Sequence, residues 1–378
     1  MVPVWLGEEN RNMFAEVKKM ADEHLKSLGA NEGRVNRSLL EELGRSGLLS
    51  AIFPKSHGGS LESGISAVRL CVLREALAQV STEAETAVAL QGLGGYPILQ
   101  SARPEVAETW IPKIASGEAV AAFALTEPSS GSDAGGLSLK AEETDGGYRL
   151  SGKKKWISNA PGADVYSLFA RTSDDGTRGI TGFVVPGDSK GLGGDAIDLV
   201  SPHPIGSLDL YGVFVPNENV LGEVGKGFAV AMKTLDLFRP SVGAFAVGMS
   251  QTALDAAIAY ANERHAFGKP LAEFQAVSHE LAEMATRTQA ARLLVYEAAL
   301  TYDRGEDVTK ASAMAKLYAT ETAQFVVDAA IQIHGAKALE KGHVLEQLYR
   351  DVRGTRIYEG TSQIQREVIA RQLLRDVD

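Results

Sequence analysis

The chain has 378 residues, with 48 acidic against 38 basic side chains and a formal net charge of −10. That balance excludes the strongly basic face expected of a nucleic-acid-binding protein, although a few local cations or amide groups suffice for an anionic ligand. A hydrophobic fraction of 44% and a mean hydropathy of −0.07 describe a globular chain able to bury a large core over two or three domains.

The first ten residues already carry Glu8 and Glu9 and show no basic start before an apolar run, so no signal or transit peptide is expected. From residue 8 to about 116 the periodicity is helical. Phe14, Val17, Met20, Ala21, Leu25 and Leu28 recur at three- and four-residue steps, and Leu39, Leu40, Leu43 and Leu48 form a shorter face. Ile65 to Val80 is nearly all apolar apart from Arg69, Arg74, Glu75 and Gln79, which predicts a central buried helix. Cys71, the single cysteine, falls inside it, so an intrachain disulfide and a cysteine metal site are excluded. The seven histidines lack metal-ligand spacing, and no metal is expected. Pro104 stands where a first-turn proline opens a helix running through Ile114.

The pattern changes near Ala119. Short apolar runs at 120–123, 137–140, 148–150, 165–169, 180–185 and 210–215 alternate with turn clusters such as Asp145-Gly146-Gly147, which predicts a small β-barrel or sandwich. Gly191 to Gly194 reads as a surface turn, because no dinucleotide fingerprint follows it. After Asn217, helices are predicted at 228–238, 244–264, 274–304 and 308–334, lengths suited to a four-helix bundle. No apolar stretch approaches the ~20 residues of a membrane span, and the terminal Asp376-Val377-Asp378 is not a peroxisomal address. A cytoplasmic protein is expected. The fold class is α+β, mostly α: an N-terminal helical domain (1–118), a middle β-barrel domain (119–222) and a C-terminal four-helix bundle (223–378).

Near the C-terminus, Tyr358-Glu359-Gly360-Thr361-Ser362 places a carboxylate on a turn at the mouth of a final helix. By itself this reads as a helix start capped by Thr361 or Ser362, with Glu359 solvated. Three other stretches change its weight: Phe123 to Asp133, including Thr126-Glu127-Pro128-Ser129-Ser130-Gly131-Ser132; Lys155-Trp156-Ile157-Ser158-Asn159; and Glu263-Arg264-His265-Ala266-Phe267-Gly268 followed by Phe274-Gln275. In this order and spacing, over nearly the whole chain, the four motifs resemble the acyl-CoA dehydrogenase family of flavoproteins.

The resemblance implies FAD as cofactor and oxidation of an acyl-CoA thioester to the trans-2-enoyl thioester, an activity of fatty acid metabolism. Glu359 is then the catalytic base, and its own amide a donor to the thioester oxygen. Phe123, Leu125, Thr126, Gly131 and Ser132 would contact the flavin, with Ser132 also facing substrate. Trp156 would lie along the ring and Ser158 near its redox nitrogen. Arg264 and Phe267 would reach the FAD of a neighbouring subunit, with Gln275, Gln332 and Gly335 on the same surface; Thr361 and Gln363 complete the cofactor set. Asp236, Arg239 and Gly360 are substrate-side candidates. The implied partners are an electron-transfer flavoprotein and further copies of the chain, as a homotetramer built as a dimer of dimers.

The sequence departs from the family pattern at Ala266 and at Ala336-Lys337-Ala338, and carries Phe238 where some members place an alternative glutamate base. An acyl-carrier-protein-linked dehydrogenase and an acyl-CoA oxidase are same-fold alternatives; a catalytically silent acyl-binding or assembly subunit is the non-enzyme one. The chain ends soon after the Glu359 helix, which weighs against the oxidases and membrane-associated enzymes with an added C-terminal domain. No arginine lies between Ser81 and Pro97, which disfavours a dicarboxylic acyl group.

Overall fold

The protein is represented by a computed structural model that describes residues 3–28, 33–62 and 64–375. The terminal Asp376-Val377-Asp378, and Met1 and Val2 of the stretch expected to carry no leader, lie outside those residues. Five helices come first: α1 (Gly7–Met20), α2 (Arg37–Arg45), α3 (Ala67–Ala78), α4 (Thr82–Ser101) and α5 (Pro104–Ser116). Strands follow: β1 (Ala121–Ala124), β2 (Lys140–Thr144), β3 (Gly147–Ser158), β4 (Val165–Arg171), β5 (Ile180–Pro186), β6 (Leu192–Gly193), β7 (Ile205–Pro216) and β8 (Val220–Leu221). Helix α6 (Gly227–Glu263) leads to a small hairpin, β9 (His265–Ala266) with β10 (Lys269–Pro270). Helices α7 (Gln275–Asp303), α8 (Thr309–His334), α9 (Val344–Thr355) and α10 (Ser362–Arg375) complete the chain. Helices, then a sheet, then helices is the predicted order.

The fold gathers into two compact units, each assembled from separate stretches of sequence. One comprises residues 27–65 and 86–235; the other comprises residues 1–26, 66–85 and 236–378. These units cut across the expected division at 118 and 222.

In the first unit, eight strands form one sheet in the order β6-β7-β3-β2-β4-β5-β8, with β1 parallel beside β4. Strands β4 and β5 are buried on both faces, as their continuous apolar sequences Val165-Tyr166-Ser167-Leu168-Phe169 and Ile180 to Val185 require. Gly191 to Gly194 is more than a turn, since Leu192 and Gly193 pair with Leu210 and Asp209. The strand predicted at 137–140 begins instead at Lys140. Leu137 and Leu139 do enter the core, but the amides of Ser138 and Leu139 are donated to the Glu127 carboxylate at 2.7 and 2.9 Å and so leave the ladder.

In the second unit, α3 is buried on nearly every side, including Cys71, as its apolar sequence predicts. Its N-terminus is held by Ser66, which accepts from the Arg69 amide, and by Asp303, which accepts from the amides of Ala67 and Val68. Two helices were predicted on either side of Pro240, yet α6 runs through it without a break. A proline leaves the carbonyl four residues earlier without its helical donor. Here that carbonyl, of Asp236, accepts instead from the Ser312 hydroxyl at 3.1 Å, which lets the helix continue. Among the described residues, α6 alone is long and apolar enough to cross a membrane; 67% of its most apolar window is buried within the protein, the pattern of a core helix.

Candidate active site

Glu359 sits on the turn between α9 and α10, in the left-handed region at φ +53°, followed by Gly360 at φ +93°. Side chains from three helices fix this turn. Arg239 Nε on α6 donates to the Glu359 carbonyl at 3.1 Å. Gln365 Nε2 on α10 donates to the same carbonyl at 3.1 Å and to the Gly360 carbonyl at 2.9 Å. Lys316 Nζ on α8 donates to the Gly360 carbonyl at 2.7 Å. At Gly360 the left-handed backbone itself favours glycine, and a Cβ there would stand 2.7 Å from Gln365 Nε2 and displace that clamp.

Thr361 does cap α10, accepting from the Ile364 amide at 3.3 Å, but the solvated glutamate of the plain helix-start reading is not found. Glu359 Oε2 is buried and has no hydrogen-bond partner. Burial pushes the carboxyl above its ordinary range, while Arg74, Lys316 and Arg239 pull the other way without cancelling the shift. Arg74 comes from α3, ion-paired with buried Glu85 and donating to Ser241 Oγ at 2.6 Å. Asp236 is 3.4 Å from Arg239 and accepts from Thr309 at 3.3 Å. Phe238, at the position of the alternative base, is a buried hydrophobic side chain.

In the sheet unit, the loop after β1 is joined to the end of β3. The Lys155 amide donates to the Thr126 carbonyl at 3.1 Å, and Lys154 Nζ to the Leu125 carbonyl at 2.8 Å. Lys154 also pairs with Glu127 at 2.9 Å, and both side chains are buried. Burial pushes Lys154 down to about 8. It also works against the Glu127 charge, but Lys154 and the Ser138 and Leu139 amides outweigh it and hold that carboxyl below its ordinary range. A register shift between Lys155 and Ile157 in the β3–β7 ladder leaves Trp156 at φ +56°, with the residue 46% exposed. Ser158 follows, its hydroxyl 2.8 Å from His203 Nε2.

Models of the N-terminal, middle and C-terminal domains of acyl-CoA dehydrogenases match residues 7–118, 122–204 and 225–374. The chain belongs to the acyl-CoA dehydrogenase family. It is 39% identical to the caffeyl-CoA reductase-Etf complex subunit CarC of Acetobacterium woodii, over 98% of this chain and 100% of that one. It is 34% identical to the cyclohexane-1-carbonyl-CoA dehydrogenase of Geobacter metallireducens, over 98% of each chain. The butyryl-CoA dehydrogenase of Megasphaera elsdenii superposes with a TM-score of 0.93 at 33% identity, covering 97% of this chain and 98% of that one.

As an acyl-CoA dehydrogenase the protein is an oxidoreductase with FAD as cofactor, and the sheet unit fits that group. The Trp156 ring, held out by a strained backbone, offers a flat apolar face. The loop fastened beside it presents Gly131 and Ser132 to solvent, with nothing within 4 Å of where a Cβ on Gly131 would be. Leu125 is different: its side chain packs in the core with Leu137, Phe169 and Ile180, and the Phe123 ring lies tilted against Phe169 with centroids 5.1 Å apart.

Of the residues predicted to reach a neighbouring copy, Arg264, Gln275, Gln332 and Gly335 are exposed, as is Gln363 on α10. Phe267 is 96% exposed at φ +51°. Ala266 is the second residue of β9, and Ala338 of the departing segment is buried. Sequence reasoning missed Arg74, Lys316, Gln365 and His203. A charge inside an apolar helix was a signal for the first two, Arg74 beside Glu75 and Lys316 between Ala315 and Leu317; nothing local marks the others, whose partners are set by tertiary contact.

Proposed function

We propose that the protein is an FAD-dependent acyl-CoA dehydrogenase in which Glu359 removes the α proton of the thioester and electrons leave to an electron-transfer flavoprotein. The observation that carries this reading is the buried, unpartnered Glu359 Oε2 on a strained turn fixed by Arg239, Gln365 and Lys316. A carboxylate freed of competing hydrogen bonds and raised in proton affinity is suited to take a weakly acidic proton from carbon near neutral pH. The Glu359 oxygen gains the proton; the backbone clamps keep its amide directed for donation to the thioester oxygen, where negative charge develops. FAD, when bound, supplies the acceptor for the β hydrogen as hydride. Trp156, Ser158 and the Thr126–Ser132 loop are proposed to hold it, with Arg264 and Phe267 contributed by a second copy.

The reductase name of the Acetobacterium relative supports a second direction for the same chemistry. A protonated Glu359 returns its proton to the α carbon when a 2-enoyl thioester is reduced, and the raised proton affinity serves that step equally. The test is an anaerobic titration of the flavin-loaded protein with saturated straight, branched, cyclic and aryl acyl-CoA thioesters, and of its reduced form with the matching 2-enoyl thioesters. Bleaching by one member, or recolouring by its enoyl partner, supports the proposal. Colourless protein without extractable flavin, or a flavin unmoved by every thioester, contradicts it.

A further inference from the structure

We propose that Lys316 is a positioning residue for Glu359: its buried ammonium fixes the Gly360 carbonyl and, beside Arg74 and Arg239, adds positive charge that favours the ionised form of the neighbouring carboxylate. This rests on the reading of Glu359 as the base. Lys316 is fully buried in the middle of α8, among the buried residues Ala313, Ala315 and Ala319 of the same helix. A buried ammonium is costly unless it is compensated, yet its hydrogen bond goes to a carbonyl, Gly360 O at 2.7 Å, and not to a carboxylate.

The neighbouring charges show where its field is directed. Arg74 is ion-paired with Glu85 and Arg239 with Asp236, and both still add to Lys316 in opposing the burial of Glu359. Glu321, the other acid facing Lys316, is held by Arg356 at 2.8 Å and Ser362 at 2.6 Å. That leaves Glu359 as the acid facing Lys316 without a hydrogen-bonded cation of its own. Burial pushes Lys316 down to about 8, with Glu359 and Glu321 opposing and Arg239 adding to the fall, so the ammonium persists at neutral pH. One side chain thus joins two functions: it holds the turn, and together with Arg74 and Arg239 it opposes the burial that raises the proton affinity of the base.

Three variants separate these functions in the FAD-loaded protein: Lys316→Met removes donor and charge, Lys316→Gln keeps a donor, and Lys316→Arg keeps the charge. Two readouts are followed against pH: anaerobic flavin reduction by a saturated acyl-CoA, and infrared titration of the Glu359 carboxyl, assigned by its absence in Glu359→Gln. In Lys316→Met the acid limb of reduction and the carboxyl titration should move together to higher pH. Reduction at pH 7 should be about 10-fold slower and recover as pH rises, the size expected from one nearby charge. Lys316→Gln should keep the displaced limb, and Lys316→Arg should return it towards wild type. If Lys316→Met does not fold, Lys316→Gln carries the same comparison. Unmoved limb and titration in the uncharged variants, beside an inactive Glu359→Gln, would overturn the role of Lys316 alone. A Glu359→Gln protein that reduces at the wild-type rate would remove the base and this proposal with it.

Discussion

Left-handed backbone at a residue bearing a side chain costs about 1–3 kcal/mol and persists only where surrounding structure enforces it. Among the described residues Trp156, Asn159, Phe267 and Glu359 are the non-glycine residues that adopt it, and three of these four were singled out for function from the sequence. At Glu359 the enforcing contacts are visible as side-chain clamps on the turn. His203 shows a different cost at residue scale. Its ring lies against the Ser158 hydroxyl, and burial pushes it from 6.5 down to about 4. Between those values the unfolded chain binds a proton that the folded one refuses, so stability drains as pH falls from about 6.5 towards 4. Urea unfolding at pH 7.5 and pH 5 should show a larger loss in wild type than in His203→Asn. Equal losses would mean that another group dominates this window.

At the scale of elements, the lesson lies in how exceptions are absorbed. Pro240 read as a helix break because local rules make it one, and Ser312, 72 positions away in sequence, supplies the donor that cancels it. In a double-mutant cycle, Ser312→Ala alone should cost about 1 kcal/mol by orphaning the Asp236 carbonyl. In a Pro240→Ala background, where a backbone amide is restored, the cost should shrink; additive costs would show that the hydroxyl does not serve the proline. Periodicity made the helices legible, and the four motifs singled out Glu359, Trp156 and the Thr126–Ser132 loop as candidates. The start of β2 was not, because its lost ladder bonds go to a Glu127 carboxylate contributed by another loop. Lys316 and Arg74 were visible as charges within apolar helices, but what they face is decided by packing between α3, α8 and the Glu359 turn.

For the whole molecule, the sequence order of helices, sheet and helices conceals two units woven from separate stretches, with α1 and α3 joined to the C-terminal helices. The proposed homotetramer adds a further level. Exposed Arg264 and the strained, exposed Phe267 stand on and beside the β9–β10 hairpin, where a second copy is proposed to bring its FAD. Arg264→Ala should release FAD and loosen assembly together, by about 2 kcal/mol, the scale of a charge-assisted bond to phosphate. Equilibrium dialysis with sedimentation checks both; unchanged flavin affinity would reduce Arg264 to a surface charge.

The central claim is that Glu359 is the base, and Glu359→Gln tests it most directly because it keeps the side-chain shape and the backbone clamps while removing the proton acceptor. In anaerobic stopped-flow with the acyl-CoA that best bleaches wild type, the variant should retain its FAD and its thioester binding. Its flavin reduction should fall by about 10²–10⁴-fold, the usual contribution of a positioned general base. Phe238, buried where an alternative glutamate would stand, offers no substitute. Reduction at a rate near wild type would contradict the account, placing the base elsewhere or the chemistry outside α,β-dehydrogenation.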